Sequence, residues 1–82
     1  MPKKTIYAKQ YRELVTALKE TRKSLGITQA ELCVALGWPQ QRLSAVERGS
    51  RRLDVLEYFV LAEKLGMSPK TALTLVQNLR NK

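Results

Sequence analysis

The sequence predicts an all-α domain of five helices, with the second and third joined by a tight turn. Three observations carry this. Apolar residues recur at three- and four-residue spacing, and no strand-like alternation, internal repeat or low-complexity linker appears. Two capping boxes, Thr28 with Glu31 and Asp54 with Glu57, and a Ser68-Pro69 pair mark helix starts. Glycines stand where the first four helices should stop, since a helix often ends on a left-handed residue that only glycine adopts without strain.

The first helix is expected from Lys9 to about Leu25, with Tyr11, Leu14, Val15, Leu18, Arg22 and Leu25 on one stripe. Lys23 in its last turn complements the helix dipole. The second opens at the Thr28–Glu31 box, with Ile27 and Leu32 placed as a hydrophobic staple, and ends at Gly37; Leu32, Cys33 and Leu36 face inward. The third begins near Pro39, a residue suited to a first helical position, and ends at Gly49. Leu43 and Val46 anchor it, which leaves Gln40, Gln41, Arg42, Ser44 and Ala45 towards solvent. The fourth runs from the Asp54 cap to Leu65, with Val55, Tyr58, Phe59, Leu61, Ala62 and Leu65 inward. The fifth follows Ser68-Pro69 and turns Ala72, Leu73, Leu75, Val76 and Leu79 to the core.

Eighty-two residues make one small domain over residues 1–82, with 1–8 read as a flexible N-terminal arm and the helix pair at about 28–48. No apolar run approaches the roughly 18 residues of a membrane span. The start, Met1-Pro2-Lys3-Lys4, lacks the apolar stretch of a secretory leader, so a cytoplasmic protein is expected. The single Cys33 excludes an internal disulfide and fits a reducing compartment; its place between the two helices calls for a small core side chain.

The formal charge is +8. Arg42, Arg48, Arg51 and Arg52 flank the second half of the helix pair, with only Glu47 among them. A basic balance of this size favours a polyanionic partner, although solubility alone also accounts for basic surfaces. What sharpens the reading is Gln40-Gln41-Arg42 at the exposed start of the third helix. Amides and a guanidinium there are the groups that hydrogen-bond base edges in a major groove, so double-stranded DNA is the expected partner. The bland alternative for both glutamines is a solvated helix face.

Thr28-Gln29, Glu31-Leu32, Gly37, Leu43-Ser44, Glu47 and Gly49 together resemble the Cro and lambda-repressor type helix-turn-helix proteins, the XRE family. The resemblance runs from about Leu14 to Leu79 and implies a five-helix lambda-repressor-like DNA-binding domain with a central helix-turn-helix. Residue by residue, it implies that Thr28 and Gln29 contact phosphate and that Gln40 and Gln41 read bases. It places Arg42 and Ser44 against bases or backbone, and Arg48 and Arg51 against phosphates. Ala45 stands where some relatives carry another base-reading amide, which leaves an apolar contact such as a thymine methyl. Trp38-Pro39 replaces the usual Thr or Ser before the third helix, so the side-chain cap is missing; Trp38 reads as a packing residue. Arg22 lies in the apolar stripe of the first helix and needs a partner. The resemblance supplies Glu47, a structural ion pair.

Enzymatic chemistry is not expected. There is no histidine, no second cysteine for a zinc cluster, and neither a G-x-x-x-x-G-K nor a G-x-G-x-x-G loop. No metal or cofactor is called for, and with no further domain after the motif no small-molecule effector is expected. The leading expectation is a repressor-like transcriptional regulator that binds an inverted repeat as a homodimer. One alternative is an antitoxin that binds both a toxin protein and its own operator. Another, of a different class, is a protein-interaction adaptor without DNA binding. Leu56 and Val60 lie outside the inward face of the fourth helix, four residues apart, and are the candidate contact for a second copy or a protein partner.

Overall fold

Five helices make up residues 8–80, the part of the chain that the computed structural model describes: α1 (Ala8–Ser24), α2 (Gln29–Leu36), α3 (Gln40–Arg48), α4 (Val55–Lys64) and α5 (Pro69–Arg80). No strand occurs among the described residues. The expected arm at 1–8 lies outside them apart from Ala8, which opens α1.

Both capping boxes form. The Thr28 hydroxyl accepts from the Glu31 amide at 3.0 Å, and Glu31 accepts from the Thr28 amide at 2.8 Å. Asp54 accepts from the Glu57 amide at 2.7 Å, with Glu57 accepting from the Asp54 amide at 3.0 Å. Each box satisfies two backbone donors that a helix start would leave unpaired. At Ser68 the hydroxyl accepts from the Thr71 amide at 3.1 Å and caps α5.

The turn between α2 and α3 depends on Gly37 at φ 72°, a conformation that strains any residue with a Cβ. It lets the amides of Gly37 and Trp38 both return to the Cys33 carbonyl, at 2.8 and 3.1 Å, so the chain reverses within two residues. Pro39 departs from expectation. Its ψ of 147° makes it the N-cap of α3, and the first helical residue is Gln40. No side chain caps this end.

The core joins all five helices. Leu18, Leu32, Cys33, Leu43, Tyr58, Leu61, Ala62, Leu65 and Ala72 form one buried cluster, and Ile27 and Trp38 pack against it. The Tyr58 hydroxyl reaches across to donate to the Ala72 carbonyl at 2.7 Å, tying α4 to α5. Burial raises the Tyr58 pKa above its ordinary value and does the same, as the larger effect, for the Cys33 thiol. That fits a packing role for the cysteine, because the inert form is the protonated one.

Three residues assigned inward are instead open. Leu25 follows the last residue of α1 and so leaves its stripe; it is exposed. Val55 is the first residue of α4, with no turn before it to cover it, and Leu73 of α5 shares an open apolar groove of about 270 Å³ with it. Both are more than half exposed.

Candidate nucleic-acid interface

Arg22 anchors the site from beneath. It is buried, and each nitrogen of its guanidinium donates: Nε to Glu47 Oε2 at 2.7 Å, Nη2 to Glu47 Oε1 at 3.1 Å and Nη1 to the Ile27 carbonyl at 2.7 Å. The fork fixes α3 on α1 and ties both to the loop that enters α2. Hydrogen bonding to Glu47 raises the Arg22 pKa. For Glu47, burial alone would raise the carboxyl, but the hydrogen bonds from Arg22 and Gln29 and the nearby positive charges outweigh it, so its pKa is lowered.

From Glu47 the polar contacts continue to the surface. Gln29 Nε2 donates to Glu47 Oε1 at 2.9 Å, and Gln29 Oε1 accepts from Ser44 at 2.8 Å and, in a long contact of 3.5 Å, from Gln40. Gln29, Gln40 and Ser44 thus meet at the start of α3, and a buried charge at the base holds their arrangement. Gln41 is exposed beside them. Thr28 lies at the start of α2 with its hydroxyl oxygen accepting in the cap. Ala45 is half-buried, and its carbonyl accepts from the amides of Ser50 and Arg51, which closes α3.

Arg42 and Arg51 point elsewhere. Both face Glu57 of α4: Arg51 Nη2 lies 3.0 Å and Arg42 Nη1 3.7 Å from the same oxygen. Arg42 also lies over the Trp38 ring, 5.2 Å from its centroid. The Tyr11 hydroxyl accepts from the Leu53 amide at 2.9 Å and so pins the loop that carries Arg51 and Arg52 to α1, while Arg52 stacks on the Tyr11 ring at 4.7 Å. Arg48, at the end of α3, is exposed. Sequence reasoning missed the connecting role of Gln29 and the grip of Glu57 on two arginines. Arg51 and Glu57 are six residues apart across a loop, so helical spacing gives no signal for the pair.

This arrangement of α2, turn and α3 has known counterparts. A helix-turn-helix family model matches residues 18–71, more than half of the chain. An XRE-family like protein from Pseudomonas syringae pv. tomato superposes with a TM-score of 0.82 at 36 % identity, over 90 % of each chain. The chain belongs to the XRE-type helix-turn-helix family. That family is one of DNA-binding regulatory domains rather than of known enzymes. A relative from Sinorhizobium fredii, y4dJ, described as an uncharacterized HTH-type transcriptional regulator, is 43 % identical over 47 residues, or 57 % of this chain; the match spans 61 % of that relative's length. Among the described residues of this helix-turn-helix protein, no helix is long and apolar enough to cross a membrane, and no three or more His, Cys, Asp or Glu side chains come together to hold a metal ion.

Proposed function

We propose that this chain is a sequence-specific, double-stranded DNA-binding regulator of transcription, acting as a repressor from an inverted repeat bound by a homodimer. The observation that carries the reading is the first turn of α3: Gln40 and Gln41 are exposed there while Leu43 and Val46 bury the opposite face. A helix presented in this way, on a chain of charge +8, suits the major groove.

The hydrogen-bonding groups left free on these side chains support one allocation of contacts. Gln40 keeps its Oε1 and one N–H free of Gln29, which matches N6 and N7 of an adenine; Gln41 has the same capacity. Ser44 spends its hydrogen on Gln29 and so meets a base as an acceptor. Ala45 offers a methyl group to thymine, and Arg42 reaches a base or the backbone. Phosphates fall to Arg48 and Arg51, to the Thr28 hydroxyl proton and to the second N–H of Gln29, whose first is held by Glu47. Selection of bound sequences from random duplexes tests this. The expected product is an inverted repeat whose half-sites lie one helical turn, about 10 base pairs, or a multiple of that apart. Recovery of unrelated sequences would count against it.

Association is supported by exposed apolar surface. Leu56 is 77 % and Val60 41 % exposed, one helical turn apart along α4. Such a row is costly to leave in water, and one small domain covers too little DNA for tight binding alone. A second copy is the occupant we favour. The same surface supports the antitoxin reading, in which a toxin protein takes that place; co-purification of a second protein at fixed stoichiometry separates the two. An adaptor that does not bind DNA would show no steep salt dependence with duplexes.

A further inference from the structure

Glu57 does more than a helix cap requires. Its Oε1 accepts from the Asp54 amide at 3.0 Å and completes the cap of α4. Its Oε2 accepts from Arg51 Nη2 at 3.0 Å and lies 3.7 Å from Arg42 Nη1. The carboxylate side chain is 20 % exposed, while Arg42 and Arg51 are 37 % and 39 % exposed. A capping box needs one oxygen, which either Glu or Gln can supply. The second oxygen and the negative charge are therefore available for the two arginines. A carboxylate oxygen at this distance from a guanidinium takes the place that a phosphate oxygen takes in a DNA contact.

We propose that Glu57 is a positioning residue that sets DNA specificity: it competes with backbone phosphates for Arg42 and Arg51 and so weakens binding to duplexes of the wrong sequence. This rests on the DNA-binding reading above. Binding to non-cognate DNA is nearly all phosphate charge, and Glu57 offsets one of the two charges it touches. On the cognate site Gln40 and Gln41 fix α3 in one register, where arginines already ordered by Glu57 bind with less loss of side-chain freedom, so the charge it offsets there is partly regained. A group that weakens the wrong complex more than the right one raises specificity.

The test compares wild type with Glu57→Gln, which keeps the cap and removes the charge, on a selected duplex and on a random duplex of equal length. Affinity for the random duplex should rise roughly three- to tenfold at low salt. Its salt slope should steepen by about one. Affinity for the selected duplex should change less, so the ratio of the two falls. In an Arg42→Ala, Arg51→Ala background the added Glu57→Gln should have far less effect. Where Glu57→Gln does not fold, Glu57→Asp draws the carboxylate back from both guanidiniums and should shift random binding in the same direction. An unchanged ratio and slope, or an equal effect without the arginines, overturns the role of Glu57 while leaving DNA binding intact. Absence of salt-dependent duplex binding by wild type overturns the DNA reading itself, and this role with it.

Discussion

Arg22 and Glu47 stand 25 residues apart in sequence and meet as a two-pronged ion pair, Nε to Oε2 at 2.7 Å and Nη2 to Oε1 at 3.1 Å. Their side chains are 9 % and 7 % exposed. The pair lies under the start of the helix-turn-helix, where Gln29 continues it to Ser44 and Gln40. Stability and the pose of the α3 side chains therefore share one origin.

Removing one member strands the other charge in the core. Glu47→Ala should destabilise the domain by about 3–5 kcal/mol, a large share of the total for a chain of this size. Chemical denaturation reads this directly, and a midpoint that scarcely moves would mean that the pair contributes little.

The same pair predicts an acid limb. The lowered Glu47 pKa means that the folded state prefers the ionised carboxylate more than the unfolded chain does. That stabilisation is fully present above the ordinary glutamate value of about 4.3 and is lost as pH falls through it towards the lower folded value. The stability gap between wild type and Glu47→Gln should narrow as pH drops from about 5 to about 3. A gap independent of pH would remove Glu47 from the acid response.

Base readout is separable from stability. Gln40→Ala or Gln41→Ala should cost roughly 1–3 kcal/mol on the selected duplex and relax preference at one base pair, with the melting temperature nearly unchanged. Equal losses on selected and random duplexes would reassign the residue to the backbone.

Association is tested at α4. Leu56→Glu combined with Val60→Glu should leave circular dichroism unchanged and convert the protein to a monomer in sedimentation. A folded double variant whose sedimentation is unchanged would remove this face from the association.

Much of this was legible in the chain itself. The helix ends came from local chemistry, Thr28 with Glu31 and Asp54 with Glu57, because a cap involves neighbours in sequence. The buried stripes of α1 and α4 were readable for the same reason, since periodicity is local. Pro39 is the cap and not the first helical residue, a difference the sequence does not carry, because proline suits both positions and only its ψ distinguishes them. Leu25, Val55 and Leu73 fit a helical wheel but lie at helix ends or beside an open groove, where exposure depends on tertiary packing. At the candidate interface, the amides of α3 stood out as residue types. The threading of Gln29 between Glu47 and Ser44, and the hold of Glu57 on Arg42 and Arg51, join separate elements with no helical spacing between the partners, and composition carries no trace of them.

The central claim is sequence-specific recognition of duplex DNA through α3. The most direct measurement is the dissociation constant for a selected duplex and for a random duplex, each followed across a salt series. The account predicts that both weaken steeply as salt rises, and that the selected duplex binds at least about 10³-fold more tightly at physiological salt. Equal affinity for the two duplexes, or binding indifferent to salt, would contradict it.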